Sequence, residues 1–180
     1  MTAVLSLLLH HADVNARDKD LSSALHHVCD TDALTDPTLF RCSLCVRELL
    51  AAGAKINAQD SEGKTPLAIA VFEENQSSLT GEFPIIQTLL EFGCDVNLGD
   101  KQGSTPLMQA SRFCLPIVVR ILLDAGADPT LADHEGRTAM QYAEERTNSA
   151  SLNDSGDEIA DMCRQRAGIM ASLALASQQI

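Results

Sequence analysis

Two stretches of the 180-residue chain place reactive residue types at a spacing that chemistry can use. Ala58 to Thr65 reads AQDSEGKT, one residue away from a phosphate-binding loop, in which glycines bring backbone amides to phosphate oxygens and a Lys followed by Ser or Thr reaches the outer phosphates and their metal. Such a loop must follow a buried strand, whereas Lys55, Ile56 and Asn57 precede this one and Ala58 stands at the first glycine. The matching positions downstream read Gly-Ser-Thr at 103–105 and Gly-Arg-Thr at 136–138, so Lys64 occupies a variable site and nucleotide binding is not expected. Cys42 and Cys45 form a CxxC with His26, His27 and Cys29 upstream, from which a four-ligand zinc site can be drawn. One CxxC is half of such a framework, and Cys45 directly precedes Val46 on what reads as an apolar helix face, so packing accounts for it. No GxSxG, HExxH, paired-carboxylate cleft or glycine-rich dinucleotide turn occurs. The expectation is a chain that is not an enzyme, with no catalytic residues, no metal and no cofactor.

Composition narrows the partners. Lys plus Arg number 13 against 25 Asp plus Glu, a net charge of −12, which repels phosphate backbones and anionic headgroups, so neither nucleic acid nor a membrane surface is expected to bind. Six cysteines in 180 residues are far below the roughly 8–10% of a disulfide scaffold, and a reducing compartment is the expectation, the cytoplasm with the nucleus as an alternative. Val4 to Leu9 is apolar, but no basic residue precedes it and His10, His11, Ala12 and Asp13 follow where a small-residue cleavage site belongs, so it reads as no export signal. Ala167 to Ile180, the longest uncharged stretch at 14 residues, falls short of the roughly 20 apolar residues of a membrane helix. With no Trp and one Tyr, the core must come from Leu, Ile, Val, Ala and Met, which suits closely packed helices.

Self-similarity supplies the positioning elements. Aligned on Asp18, Asp60, Asp100 and Asp133, the chain reads LLLHHADVNARD, LLAAGAKINAQD, LLEFGCDVNLGD and LLDAGADPTLAD, and after each Asp a second phrase recurs: DKDLSSALHH, DSEGKTPLAI, DKQGSTPLMQ and DHEGRTAMQY. The Asp-to-Asp spacings are 42, 40 and 33. Ser23, Thr65, Thr105 and Thr138 can cap a helix, and Pro66 and Pro106 follow where a helix has no use for an amide hydrogen. Ala70, Ala110 and Ala143 fall on the face of Leu67, Leu107 and Met140 and permit close approach of neighbouring helices. A second helix in each unit carries apolar residues at helical spacing: Val4, Leu7, Leu8; Val46, Leu49, Leu50; Ile86, Leu89, Leu90; Val119, Leu122, Leu123. Gly53, Gly93 and Gly126 then stand where a left-handed cap ends the helix, with His11 at that site in the first unit.

In these two phrases the chain resembles the ankyrin repeat family, from about Val4 to Arg166. The resemblance implies an all-α solenoid of stacked helix pairs joined by β-hairpin fingers that begin near each Asp. The units are taken as a partial repeat at 1–17, repeats with a long inter-helix loop at 18–59 and 60–99, a plain repeat at 100–132, a capping repeat at 133–167 and a tail helix at 168–180. The added text, about Asp30–Leu39, Glu74–Glu82 and Asn148–Asp157, reads as surface loops, the first two of which would adjoin as an acidic ridge of Asp30, Asp32, Asp36, Glu73, Glu74 and Glu82. His26 occupies the place of the family's His after TPL, whose implied task is hydrogen bonding between repeats. Asn15, Asn57 and Asn97 read as turn formers, and in similar proteins this Asn can be hydroxylated by an oxygen-sensing asparaginyl hydroxylase.

The function implied is a non-catalytic protein–protein interaction module, an adaptor or scaffold, that binds a protein or peptide of basic and apolar character on the concave surface of fingers and first helices. Carried over position by position, the contact residues are Arg17, Lys19, Asp20, Gln59, Glu62, Lys64, Lys101, Gln102, His134, Glu135 and Arg137 on the fingers and Phe72, Glu73, Arg112 and Phe113 on the first helices. Phe72, Arg112 and Phe113 are of the types that anchor interfaces. The alternative is a structural segment of a larger array, or a homo-oligomer joined through the N-terminal repeat, because Val4, Leu7 and Leu8 have no preceding repeat to cover them.

Overall fold

The computed structural model describes residues 12–30, 36–77, 83–145 and 168–177, and among these eight helices form. They are α1 (Ala24–Cys29), α2 (Asp36–Ala51), α3 (Pro66–Ser77), α4 (Pro84–Glu91), α5 (Pro106–Arg112), α6 (Pro116–Asp124) and α7 (Ala139–Glu145), with α8 at 168–177. Thr65 and Thr105 each accept the amide of the residue three ahead, Ala68 at 3.2 Å and Met108 at 3.4 Å. Ser23 turns its hydroxyl to His26 instead, and at Thr138 the amide donates to Gln141 Oε1 at 2.8 Å. The second helices α4 and α6 open on Phe83-Pro84 and Leu115-Pro116, with Phe83 and Leu115 buried as apolar anchors.

The left-handed caps stand where expected. Gly53, Gly93 and Gly126 have φ of +89°, +76° and +91°, and each passes two hydrogen bonds back to the helix, such as Gly53 N–H to Leu50 and Ala54 N–H to Leu49. Cys114 ends α5 in the same way at φ +56°, with its amide on Ser111 and that of Leu115 on Ala110. The His11 site lies outside the described residues.

First helices stack in series, α1 on α3, α3 on α5 and α5 on α7, while α2 packs on α4 and each unit closes as α1–α2, α3–α4 and α5–α6. Leu25, Leu67 and Leu107 are buried beside Ala70, Ala110 and Ala143, whose small side chains let the helices approach. Val46, Ile86 and Val119, with Leu49, Leu89 and Leu122, form the other wall of one continuous core. Each buried Leu, Ile or Val contributes roughly 2 kcal/mol of transfer free energy. Ile169 and Leu173, one turn apart on α8, are buried in the same core, while Leu175 is exposed.

Three expectations need correction or limits. Among the described residues no named strand forms and the fingers are seen as tight turns, closed by bonds such as Asp60 N–H to Lys64 and Gly63 N–H to Asp60, with isolated antiparallel bridges at Arg17 with Ser23 and Ala132 with Thr138, so β-hairpins are not confirmed. Parts of the first two inserts, 36–39 and 74–77, are helical rather than loop, because α2 starts at Asp36 and α3 runs to Ser77 where the plain unit's α5 stops at Arg112. Residues 31–35 and 78–82 of the first two inserts, 146–167 with all of the third, and the segment 1–11 with Val4, Leu7 and Leu8 lie outside the described residues.

Candidate functional site

The finger turns are built by their aspartates. Each Asp Oδ1 accepts the amides two and four residues on: Asp20 and Ser22 at Asp18, Glu62 and Lys64 at Asp60, Gln102 and Ser104 at Asp100, Glu135 and Arg137 at Asp133, all at 2.8 to 2.9 Å. Successive fingers are then stitched by one backbone bond each, Ser61 N–H to Asp20, Lys101 N–H to Glu62 and His134 N–H to Gln102. The fit leaves no room for a side chain at Gly63, where a Cβ would lie 2.7 Å from the Lys101 amide nitrogen and φ is already +80°. Leu21 holds the equivalent place in the first finger at φ +58°, with its side chain 47% exposed.

Further ties cross the repeats. His26 is buried, its Nδ1 accepting from the Ser23 amide at 3.1 Å while Nε2 meets the carbonyls of Ala58 and Lys64 at 3.0 and 3.2 Å, so it joins one unit to the next as the resemblance implied. Burial pushes its pKa down, partly offset by those carbonyls and by Asp60. The Asn residues do more than shape their own turns: Asn15 bonds Gly53 O and the Lys55 amide, Asn57 the Asp95 amide, and Asn97 Gly126 O and the Asp128 amide. Cys29 is buried, and among the described residues no group of three His, Cys, Asp or Glu gathers around a point that could hold a metal ion.

Between fingers and first helices runs an open groove of about 420 Å³. Of the expected contact residues it brings together Lys64, Phe72, Glu73, Gln102, Arg112, Phe113 and Arg137. Phe72 and Phe113 meet edge to face, with centroids 5.4 Å apart and planes at 75°. Phe72 is 47% exposed, but Phe113 is half-buried against the core, so it is part packing residue and part surface. Arg17 and Gln59 do not face the groove as free contacts: Arg17 donates to Gln59 O at 2.8 Å, and the Gln59 amide donates to Gly63 and Gly99. Glu62 pairs with Lys64 at 2.6 Å, which raises the Lys64 pKa. Lys19, Asp20, Lys101, His134 and Glu135 are exposed on the finger turns and do not line the groove. Of the expected acidic ridge, Asp30 and Glu73 line the groove, and the side chains of Asp32, Asp36, Glu74 and Glu82 lie outside those described.

Sequence reasoning missed Asp60, Asp100 and Tyr142, which also line the groove. The aspartates were visible as the repeat's fixed point, and Tyr142 as the chain's lone Tyr. Tyr142 belongs to a buried triad at the last finger: its hydroxyl donates to Asp133 Oδ2 at 2.7 Å, Arg137 Nη2 lies 2.9 Å from the same oxygen, and the guanidinium sits 4.7 Å from the Tyr142 ring centroid. Burial alone would push the Asp133 carboxyl up, but the bonds from Tyr142, Arg137 and the Glu135 amide outweigh it and hold the pKa at about 2. Burial and the Asp133 charge push Tyr142 up to about 12.

No match to the chain is found among the curated proteins. The family model for ankyrin repeats (3 copies) matches residues 42–133 and 77–153, more than half of the chain. That span holds the stacked helices and finger turns described above, and the chain belongs to the ankyrin repeat family.

Proposed function

We propose that this chain is a non-catalytic adaptor or scaffold that holds a partner protein in the groove between its fingers and first helices. Ankyrin repeats are in general protein–protein interaction modules. The observation that carries the proposal is the open groove of about 420 Å³ with Phe72 standing 47% exposed in it, backed edge to face by Phe113. An exposed aromatic held in place by a half-buried one offers contact area at little cost in side-chain entropy. The partner's segment has basic and apolar character, which complements a chain of net charge −12. An intracellular setting suits the five described cysteines, all of them free thiols, and no described helix is long and apolar enough to cross a membrane.

Phe72→Ala is the test, since it removes exposed surface, whereas Phe113→Ala would also open the core. In affinity capture from a native lysate, the variant loses the proteins that the wild-type chain retains while its melting temperature stays the same. An unchanged set of captured proteins overturns the groove reading.

A further inference from the structure

The four finger aspartates are one residue in four settings, and their second oxygens differ. At Asp18, Oδ2 lies 2.7 Å from His27 Nε2, and at Asp133 it is held by the Tyr142 hydroxyl and the Arg137 guanidinium. At Asp60 and Asp100, which line the groove, the two turn amides occupy Oδ1 and no described group of the chain is hydrogen-bonded to the other oxygen. Of the three cations that line the groove, Lys64 Nζ sits on Glu62 at 2.6 Å, Arg137 on Asp133 and Glu135 at 2.9 and 3.2 Å, and Arg112 stands at the end of α5 beside Phe113. The groove thus sets an apolar wall at Phe72 and Phe113 beside two carboxylates one repeat apart, with Asp30 and Glu73 adding negative charge and Arg112 positive charge to its lining.

We infer that the groove seats an arginine side chain of the partner protein, its guanidinium on the second oxygens of Asp60 and Asp100 and its stem along Phe72 and Phe113. The chain carries its own template for this at the last finger, where Arg137 lies between the Asp133 carboxylate and the Tyr142 ring. A planar guanidinium can bond a carboxylate through two parallel N–H groups while its face lies on an aromatic ring, and a lysine ammonium, a compact and strongly hydrated point charge, does this less well. The inference rests on the reading of the groove as a protein-docking surface and adds the chemistry of what docks.

A random peptide library displayed on phage, selected on the full chain, tests both at separable points. The expected yield is peptides enriched in Arg beside an apolar residue, whose binding falls with Phe72→Ala. Replacing that Arg by citrulline, which keeps the shape and removes the charge, weakens binding about tenfold, the loss of one charge-assisted bond. Asp60→Asn and Asp100→Asn weaken it similarly; the Asn oxygen still accepts the turn amides, so melting is expected to hold, and the citrulline swap reads out on the wild-type chain in any case. Asp124→Asn, which removes an exposed charge outside the groove, leaves binding unchanged. Peptides that need Phe72 but bind equally well with citrulline, or equally well to both groove Asn variants, overturn the arginine seat and leave the docking groove standing. Peptides indifferent to Phe72 as well, or no peptides above a blank support, overturn both.

Discussion

The Tyr142 hydroxyl donates to the second oxygen of Asp133 at 2.7 Å, and with the Arg137 guanidinium against the same tyrosine it closes the last finger onto α7. Its strength sets how the stability of this end of the stack depends on pH. The folded Asp133 pKa is about 2 against an ordinary 3.8, so below about pH 4 the unfolded chain takes up a proton that the folded chain refuses. Stability therefore falls as the pH drops from about 4 through about 2. Tyr142, raised to about 12, refuses to ionise when folded, so stability also falls as the pH rises above 10. Asp133→Asn is expected to cost roughly 2 kcal/mol at neutral pH and to flatten the acid limb, and Tyr142→Phe to flatten the alkaline one, both read from urea unfolding across pH.

His26 acts at the opposite end of the stack and nearer to neutrality. Its Nδ1 must stay unprotonated to accept the Ser23 amide, and its pKa is lowered mainly by burial. The unfolded imidazole takes up a proton from about pH 6.5 downward while the folded one resists, so stability declines as the pH falls through that range. His26→Ala leaves the Ala58 and Lys64 carbonyls without this donor and is expected to cost about 2 kcal/mol and to remove this decline. A melting temperature equally pH-dependent in wild type and variant between 5 and 7 would contradict this assignment.

Ser111 is fully buried on α5, and its hydroxyl has no hydrogen-bond partner among the described residues. The register-equivalent residue in α3 is Val71, also fully buried. Removing an unsatisfied buried hydroxyl relieves its desolvation, so Ser111→Ala is expected to stabilise the chain by about 1 kcal/mol. Thermal unfolding checks the sign, and a lower melting temperature would show that the hydroxyl has a use.

Leu21 sits in the left-handed region where the other three fingers have glycine, and its exposed side chain gains little in return. The strain of roughly 1–2 kcal/mol outweighs the added backbone freedom of glycine in the unfolded chain. Leu21→Gly is expected to gain about 0.5 kcal/mol, visible as a higher urea midpoint at unchanged slope.

The sequence by itself determined the period, the helix starts and the helix stops. These are local matters: Thr65-Pro66 and Thr105-Pro106 open a helix, and Gly53, Gly93 and Gly126 end one, through bonds that span fewer than six residues. It also determined which faces are apolar, because Leu67, Ala70, Val46 and Leu49 recur at helical spacing. Tertiary structure alone decided which of the marked surface residues are free. Arg17 and Gln59 look like any polar finger residue until the next finger arrives with a carbonyl for each, and only stacking brings Phe72 of one repeat against Phe113 of the next. The four aspartates differ, by contrast, within their own units: His27 and Tyr142, each nine residues on, and Arg137, four on, complete two of them, where Ile69 and Gln109 stand nine residues after Asp60 and Asp100. The contacts of Arg17, Gln59 and Phe72 are the ones the chain alone does not assign, because they depend on distances between segments about 40 residues apart, which a local pattern does not encode.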